Sequence, residues 1–323
     1  MPRTAHQPGG GARPTFCWQG FAGQWARQDG RAPCQNSSRA CDALAQILAY
    51  PKQPLNHPHH QMTMTVDSLP SSNDFRVTCF VAGVQKCGTT TLNSYLSDHP
   101  EMCRTDALEA HYFDNEALDW DSVDHSTYHA MFPSSAQRKT AYEVTPIYFF
   151  WEPCLKRLRS YNPDARIVLI FRDPVERAWS QWRMEIERGT EDLSFSDAIR
   201  SGRDRLKGAP ETSDIWRTAT YVERGFYGKQ LERALKLFPH EQLLLLKTDE
   251  LALDHMQALN RITDFFGTSR LPLMPARQAR IGSSAFGQIP VEDASYLRGL
   301  FAEDLDKFTK LSGLDVSNWR SGL

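Results

Sequence analysis

The hydrophobic pattern divides the chain near residue 70. Before that point Pro, Gly, Gln, Ser and His dominate, as in Gly9-Gly10-Gly11 and the run from Pro54 to Gln61. A tract so poor in apolar residues cannot bury enough surface to offset the entropy of ordering it. Residues 1–70 are therefore expected to be a disordered extension, with one short helix where apolar residues take helical spacing between Cys41 and Tyr50. His57, His59 and His60 read as a solvated tract and not as a metal site. Folded-type sequence begins soon after Met62 and Met64, either of which can serve as a start of translation.

From Asp74 onward short apolar runs alternate with longer helical stretches. Phe75 to Gly83, rich in β-branched and aromatic residues, predicts a strand. A helix opens at Thr89 and runs to Leu96. Thr140 to Thr145 predicts a second strand, stopped by Pro146. Arg166 to Phe171 predicts a third, with the near-continuous apolar content of a strand buried on both faces. A helix follows from Pro174 to Arg188, with Pro in the first turn where it is tolerated. Leu231, Ala234, Leu235 and Phe238 fall at i, i+3, i+4 and i+7 and mark another helix. Gln242 to Lys247 predicts a fourth strand, and Met256, Leu259, Thr263 and Phe266 share one face of the helix after it. Ser201 to Asp214 is polar and breaker-rich and reads as a surface loop. Strands alternating with helices imply an α/β domain over residues 71–323, its mostly parallel sheet covered on both faces.

Composition narrows the function classes. A formal net charge of −2 gives no reason to invoke nucleic acid as a partner. Cys17, Cys34, Cys41, Cys79, Cys87, Cys103 and Cys154 are odd in number and never spaced C-x-x-C, so neither a zinc site nor a disulfide framework is implied. The chain contains no apolar run of membrane-spanning length and no signal-peptide pattern at its N-terminus, so a cytoplasmic protein without a membrane span is expected. The oligomeric state is not legible.

The segment Gly83-Val-Gln-Lys-Cys-Gly-Thr-Thr-Thr91 joins the first strand to the first helix. Backbone amides in such a turn and at the helix start point at an anion, and the helix dipole adds to them. Lys86, Cys87, Gly88, Thr89, Thr90 and Thr91 are thus candidate phosphate ligands; the plainer alternative is a threonine helix cap. The Walker A pattern is not met, because Lys86 precedes Gly88 instead of following the second glycine. At the end of the third strand Arg172 places a cation just before Asp173, where an NTPase wants a magnesium ligand. Arg172 and Ser180 can hold a second phosphate, by a planar fork and a short hydroxyl. Arg177 reads as a structural cation paired with Glu176 or a neighbouring carboxylate.

These two elements resemble the sulfotransferases that use 3′-phosphoadenosine 5′-phosphosulfate (PAPS), most of all the heparan sulfate N- and O-sulfotransferase branch and its bacterial relatives. The family's first loop, G-x-x-K-x-G-T-T, is matched by Gly83, Lys86, Gly88, Thr89 and Thr90. Its R-x-P-x-x-R-A-x-S segment is matched by Arg172, Pro174, Arg177, Ala178 and Ser180. Further matches follow in the family's order from Glu109 to Asp114, from Glu143 to Pro146, from Arg224 to Leu231 and from Leu311 to Trp319.

The resemblance implies a three-layer P-loop-like fold and transfer of a sulfuryl group from PAPS by in-line displacement, leaving adenosine 3′,5′-bisphosphate (PAP), with no metal required. The acceptor would be a hydroxyl or amine of a glycan, lipid or natural product. In the family the lysine matching Lys86 stabilises the leaving phosphate. Glu109 and His111 are both candidates for the base. Arg280, Gly282 and Ser283, with Ser284 and Arg277 nearby, match the family's third cofactor element. Two departures stand out: Leu108 and Val144 occupy positions where relatives often carry lysine, which weighs against a strongly anionic acceptor. Trp151, Trp179, Trp182 and Trp216 read mainly as core or interface residues. The competing readings are a P-loop-type small-molecule kinase and an inactive nucleotide-binding module.

Overall fold

The structure is a computed structural model and describes residues 75–133, 136, 139–277 and 286–321. The expectations for residues 1–70, and for Arg280, Gly282, Ser283 and Ser284, lie outside the described residues.

Strand β1 (Cys79–Gly83) feeds helix α1 (Thr89–Leu96), and the short β2 (Met102–Cys103) and α2 (Ser126–His129) follow. Next come β3 (Thr140–Val144), α3 (Glu152–Tyr161), β4 (Arg166–Phe171) and α4 (Pro174–Arg188). Short helices α5 (Phe195–Ala198) and α6 (Asp214–Thr218) lead to α7 (Tyr227–Leu235) and β5 (Leu243–Lys247). The chain continues through α8 (Thr248–Leu253), α9 (His255–Phe266), α10 (Val291–Ser312) and α11 (Asn318–Ser321).

The strands form one sheet in the order β2-β3-β1-β4-β5, and every adjacent pair is parallel. Parallel strands need crossover helices, which cover both faces and demand apolar side chains on both. All of β1 is buried, as is β4 apart from Arg166. Strands β2 and β3 lie on one side of β1 and β4 and β5 on the other, so a crevice opens beyond its carboxyl end, where such sheets bind ligands. The expected α/β layering is therefore observed, with the phosphate-type loop at that crevice.

Helix α10 packs along α7, and two glycines permit it. A Cβ on Gly225 would meet Phe301 Cζ at 2.5 Å, and one on Gly228 would run into the backbone of Asp304. The Asp304 carboxylate accepts from the amides of Gly228 at 2.7 Å and Lys229 at 2.9 Å, which satisfies the start of α7. Three expectations differ from what is observed by more than one residue. Helix α7 stops at Leu235, short of Phe238. The first strand begins at Cys79 instead of Phe75. The segment read as a surface loop after Ser201 contains a 3-10 turn over Ser201–Leu206 that buries Gly202 and Leu206. Arg205 fixes that turn by forking onto Glu191 at 3.0 and 2.7 Å. Among the described residues no helix is long and apolar enough to cross a membrane.

Candidate active site

The loop after β1 is shaped by its glycines in two different ways. At Gly83 the constraint is space: a Cβ would lie 2.7 Å from Phe149 Cβ. At Gly88 the constraint is the backbone, since φ is +92° while the nearest atoms to a Cβ are 3.7 Å away or more. Lys86 also takes a left-handed conformation, φ +72°. Gly88 is the N-cap of α1, and no side chain caps that helix. The threonine-cap alternative is therefore not what is seen. The first-turn amides at Thr89, Thr90 and Thr91 have no carbonyl one turn back and face outward from the helix start, with no acidic residue in that turn. Thr89 is buried, and Thr90 and Thr91 are half-buried. Cys87 is buried, its amide closes the turn onto the Val84 carbonyl at 3.2 Å, and burial pushes its thiol up to about 11. Its carbonyl accepts from Thr248 Oγ1 at 2.8 Å, and the same hydroxyl reaches the Phe171 carbonyl at 3.1 Å, tying the loop to the end of β4.

Lys86 is half-buried with Nζ 3.4 Å from Met184 Sδ. Among the described residues no carboxylate lies within ion-pair distance of it. Burial, aided by the Arg188 charge, lowers its pKa against the pull of Glu187 and Glu185. Ser180, half-buried, sits one helical turn before Met184, so Lys86 and Ser180 meet the same stripe of α4.

Arg172 directly follows β4 with its guanidinium on Glu176, Nε to Oε2 at 2.7 Å. It borders a cleft of about 350 Å³ shared with Asp249, Asn318 and Trp319. Asp173, the carboxylate a magnesium-dependent enzyme would use at this strand end, caps α4 by accepting from the Val175 amide at 2.7 Å. Arg177 is fully buried, in keeping with the structural role expected of it, but its partners differ from expectation. Glu176 is taken by Arg172, so Arg177 donates to Gln181 Oε1 at 2.8 Å and to the Tyr221 carbonyl. Arg277, which precedes the third cofactor element, is fastened to α1: its guanidinium lies 4.7 Å over the Tyr95 ring and bonds Asp98 and the Ser94 carbonyl.

Glu109 and His111 come together. His111 Nε2 is 3.1 Å from Glu109 Oε2, and Nδ1 is 3.0 Å from Asp114 Oδ2. Burial opposes charge on the ring, but the hydrogen bonds and charges of Asp114 and Glu109 outweigh it and raise His111 to about 10. His111 is thus an imidazolium at neutral pH and donates on both sides. Asp114 is buried, which on its own favours the neutral acid; His111 and Arg217 overcome this and hold its carboxyl below the usual range. Arg217 bonds both the side chain and the carbonyl of Asp114 while lying 4.2 Å over the Trp151 ring.

Sequence reasoning missed what holds this segment. Glu143, 1% exposed, accepts hydroxyls from Tyr148 at 2.6 Å, Thr145 at 2.7 Å and Tyr128. Thr145 Oγ1 in turn accepts the Ala110 amide at 3.1 Å, and Tyr148 Oη the Tyr112 amide at 3.0 Å. The motif from Glu143 to Pro146 is therefore a buried clamp on the irregular segment carrying Glu109. The signal was present: a glutamate in an apolar strand must find donors. Leu108 is half-exposed beside Glu109, whereas Val144 is buried. Trp151, Trp179 and Trp182 are core residues. Trp216 stacks on Phe150 with ring centroids 6.3 Å apart, and both line a separate cleft of about 530 Å³.

Residues 77–275 match the sulfotransferase domain family, and the chain belongs to it. It is 30% identical over 194 residues to heparan sulfate glucosamine 3-O-sulfotransferase 3A1 of Mus musculus, covering 59% of this chain and 46% of that protein. Against heparan sulfate glucosamine 3-O-sulfotransferase 6 of the same species identity is 27% over 239 residues, 72% of this chain and 65% of the relative. The chain spans about half to two-thirds of these curated relatives' lengths. A solved sulfotransferase from Alicyclobacillus acidocaldarius superposes with a TM-score of 0.64 at 25% identity, covering 76% of this chain and all of that one.

Proposed function

We propose that this protein transfers a sulfuryl group from PAPS to a hydroxyl or amine acceptor. The observation that carries this reading is the uncapped start of α1 beside a half-buried lysine that has no carboxylate within ion-pair distance among the described residues. Such a site is incomplete without an anion, and its donors fit a phosphosulfate. The amides at Thr89 to Thr91 and the hydroxyls of Thr90 and Thr91 would hold the 5′-phosphosulfate. Lys86 would neutralise charge growing on the leaving oxygen. Arg172 and Ser180 would take the 3′-phosphate, with Arg172 leaving Glu176 to do so.

Glu109 is the base in this reading. A cationic His111 cannot accept a proton, but it can hold one carboxylate oxygen of Glu109 and leave the other for the acceptor's hydroxyl. Asp114 and Arg217 fix the imidazole from behind. The relatives are named for heparan sulfate, and a glycan acceptor fits this lineage. An exposed Leu108 beside the base favours an acceptor that is uncharged next to the reacting hydroxyl. Asp173 is engaged as a helix cap, which weighs against the kinase alternative.

Incubation with sulfur-labelled PAPS, or with ATP and magnesium, over a panel of hydroxylated acceptors tests the reading. Label should move from PAPS and should still move in a chelator. Phosphorylation from ATP that stops on chelation would overturn it.

A further inference from the structure

Arg224 is completely buried, yet among the described residues no carboxylate pairs with it. Its Nε donates to Thr220 Oγ1 at 2.8 Å, one terminal nitrogen to Gln85 Oε1 at 2.6 Å, and the other to the Arg217 carbonyl at 2.8 Å. The guanidinium lies 4.7 Å over the Phe150 ring. Burial, with the neighbouring Arg177 charge, pushes its pKa down to about 9, so it remains a cation at neutral pH. Holding such a charge with neutral partners alone is costly, and the cost falls when an anion binds nearby.

Its partners have a pattern. Gln85 precedes Lys86 in the phosphate loop. Arg217, whose carbonyl Arg224 holds, is the residue that fixes Asp114 and so His111 and Glu109. One buried fork thus spans the donor side and the base side of the proposed site.

We infer that Arg224 is a positioning residue that sets the phosphate loop and the Glu109 cluster relative to each other, and that the neutrality of Gln85 keeps its charge available to the bound nucleotide. The inference rests on the sulfotransfer reading. A carboxylate at position 85 would satisfy Arg224 at least as well as the amide does, but would cancel the charge. A purely structural role for Arg224 predicts that this change is harmless.

The test is Gln85→Glu beside Gln85→Ala, with PAP titrated by calorimetry and thermal stability measured on each. Gln85→Glu should melt no lower than the unsubstituted protein, yet bind PAP about tenfold or more weakly. Gln85→Ala should keep most PAP affinity, because the cation remains, while kcat falls about tenfold from loss of alignment. PAP affinity and turnover unchanged in both variants, or losses that merely follow falling stability, would overturn the inference. If Arg224→Lys folds, its single ammonium should reproduce the kcat loss without the affinity loss. Absence of PAP binding by the unsubstituted protein would remove the sulfotransfer reading itself, a distinguishable result.

Discussion

His111 Nε2 lies 3.1 Å from Glu109 Oε2 with its other nitrogen 3.0 Å from Asp114, so the two base candidates are partners rather than rivals. Replacing Glu109 by Gln removes the proposed proton acceptor and leaves the loop after β1 untouched. Transfer should fall about 100-fold or more, with PAP affinity unchanged by calorimetry. An equal loss of PAP affinity would make Glu109 structural.

The same arrangement fixes a pH dependence. The His111 pKa is raised from 6.5 to about 10, so the protonated ring binds its partners more tightly than the neutral one. Stability from a raised pKa is fully present below 6.5 and is lost as pH climbs through about 10. The melting-temperature gap between the unsubstituted protein and His111→Asn should therefore shrink from pH 6.5 to pH 10. A gap that widens with pH contradicts an imidazolium at this position.

Lys86 carries the leaving-group role in this account. Lys86→Ala should cost on the order of 100-fold in kcat, the scale of removing a transition-state donor. Because its contact on the protein is a thioether at 3.4 Å and not a carboxylate, stability should barely change. Near-normal turnover in this variant would leave the loop without its chemical function.

Thr145 tests the buried clamp. Thr145→Val keeps the shape but leaves the Ala110 amide without its acceptor and removes one donor from Glu143. A loss of about 1–3 kcal/mol is expected in denaturant unfolding, together with reduced kcat, because the segment carrying Glu109 loses an anchor.

Much of this was legible in the chain because it rests on local rules. Helices α1 and α4 begin and end where the sequence pattern sets them, and β4 reads as an unbroken apolar run because both of its faces are covered. The loop after β1 and the segment from Arg172 to Ser180 stood out by residue type and spacing, while the phosphate groups proposed for them come from the family resemblance. Helix α10 was not read from the sequence, although Ala294, Leu297, Phe301, Leu305 and Phe308 are buried along it, and nothing local announces that it packs on Gly225 and Gly228. The partners of Arg177 and Arg224 were not legible. A lone arginine in sequence suggests a carboxylate, whereas here carbonyls, Gln181, Thr220 and Gln85 take that place across the fold. Glu143 was visible as a motif residue, but its three hydroxyl partners include Tyr128 from helix α2.

A calorimetric titration with PAP in a chelating buffer, repeated for Arg172→Ala and with ATP–magnesium in its own buffer, separates a sulfotransferase site from a kinase site. Saturable PAP binding that survives chelation and weakens about tenfold or more without the Arg172 fork is expected. No PAP binding, or tighter binding of ATP–magnesium than of PAP, would contradict a sulfotransferase site.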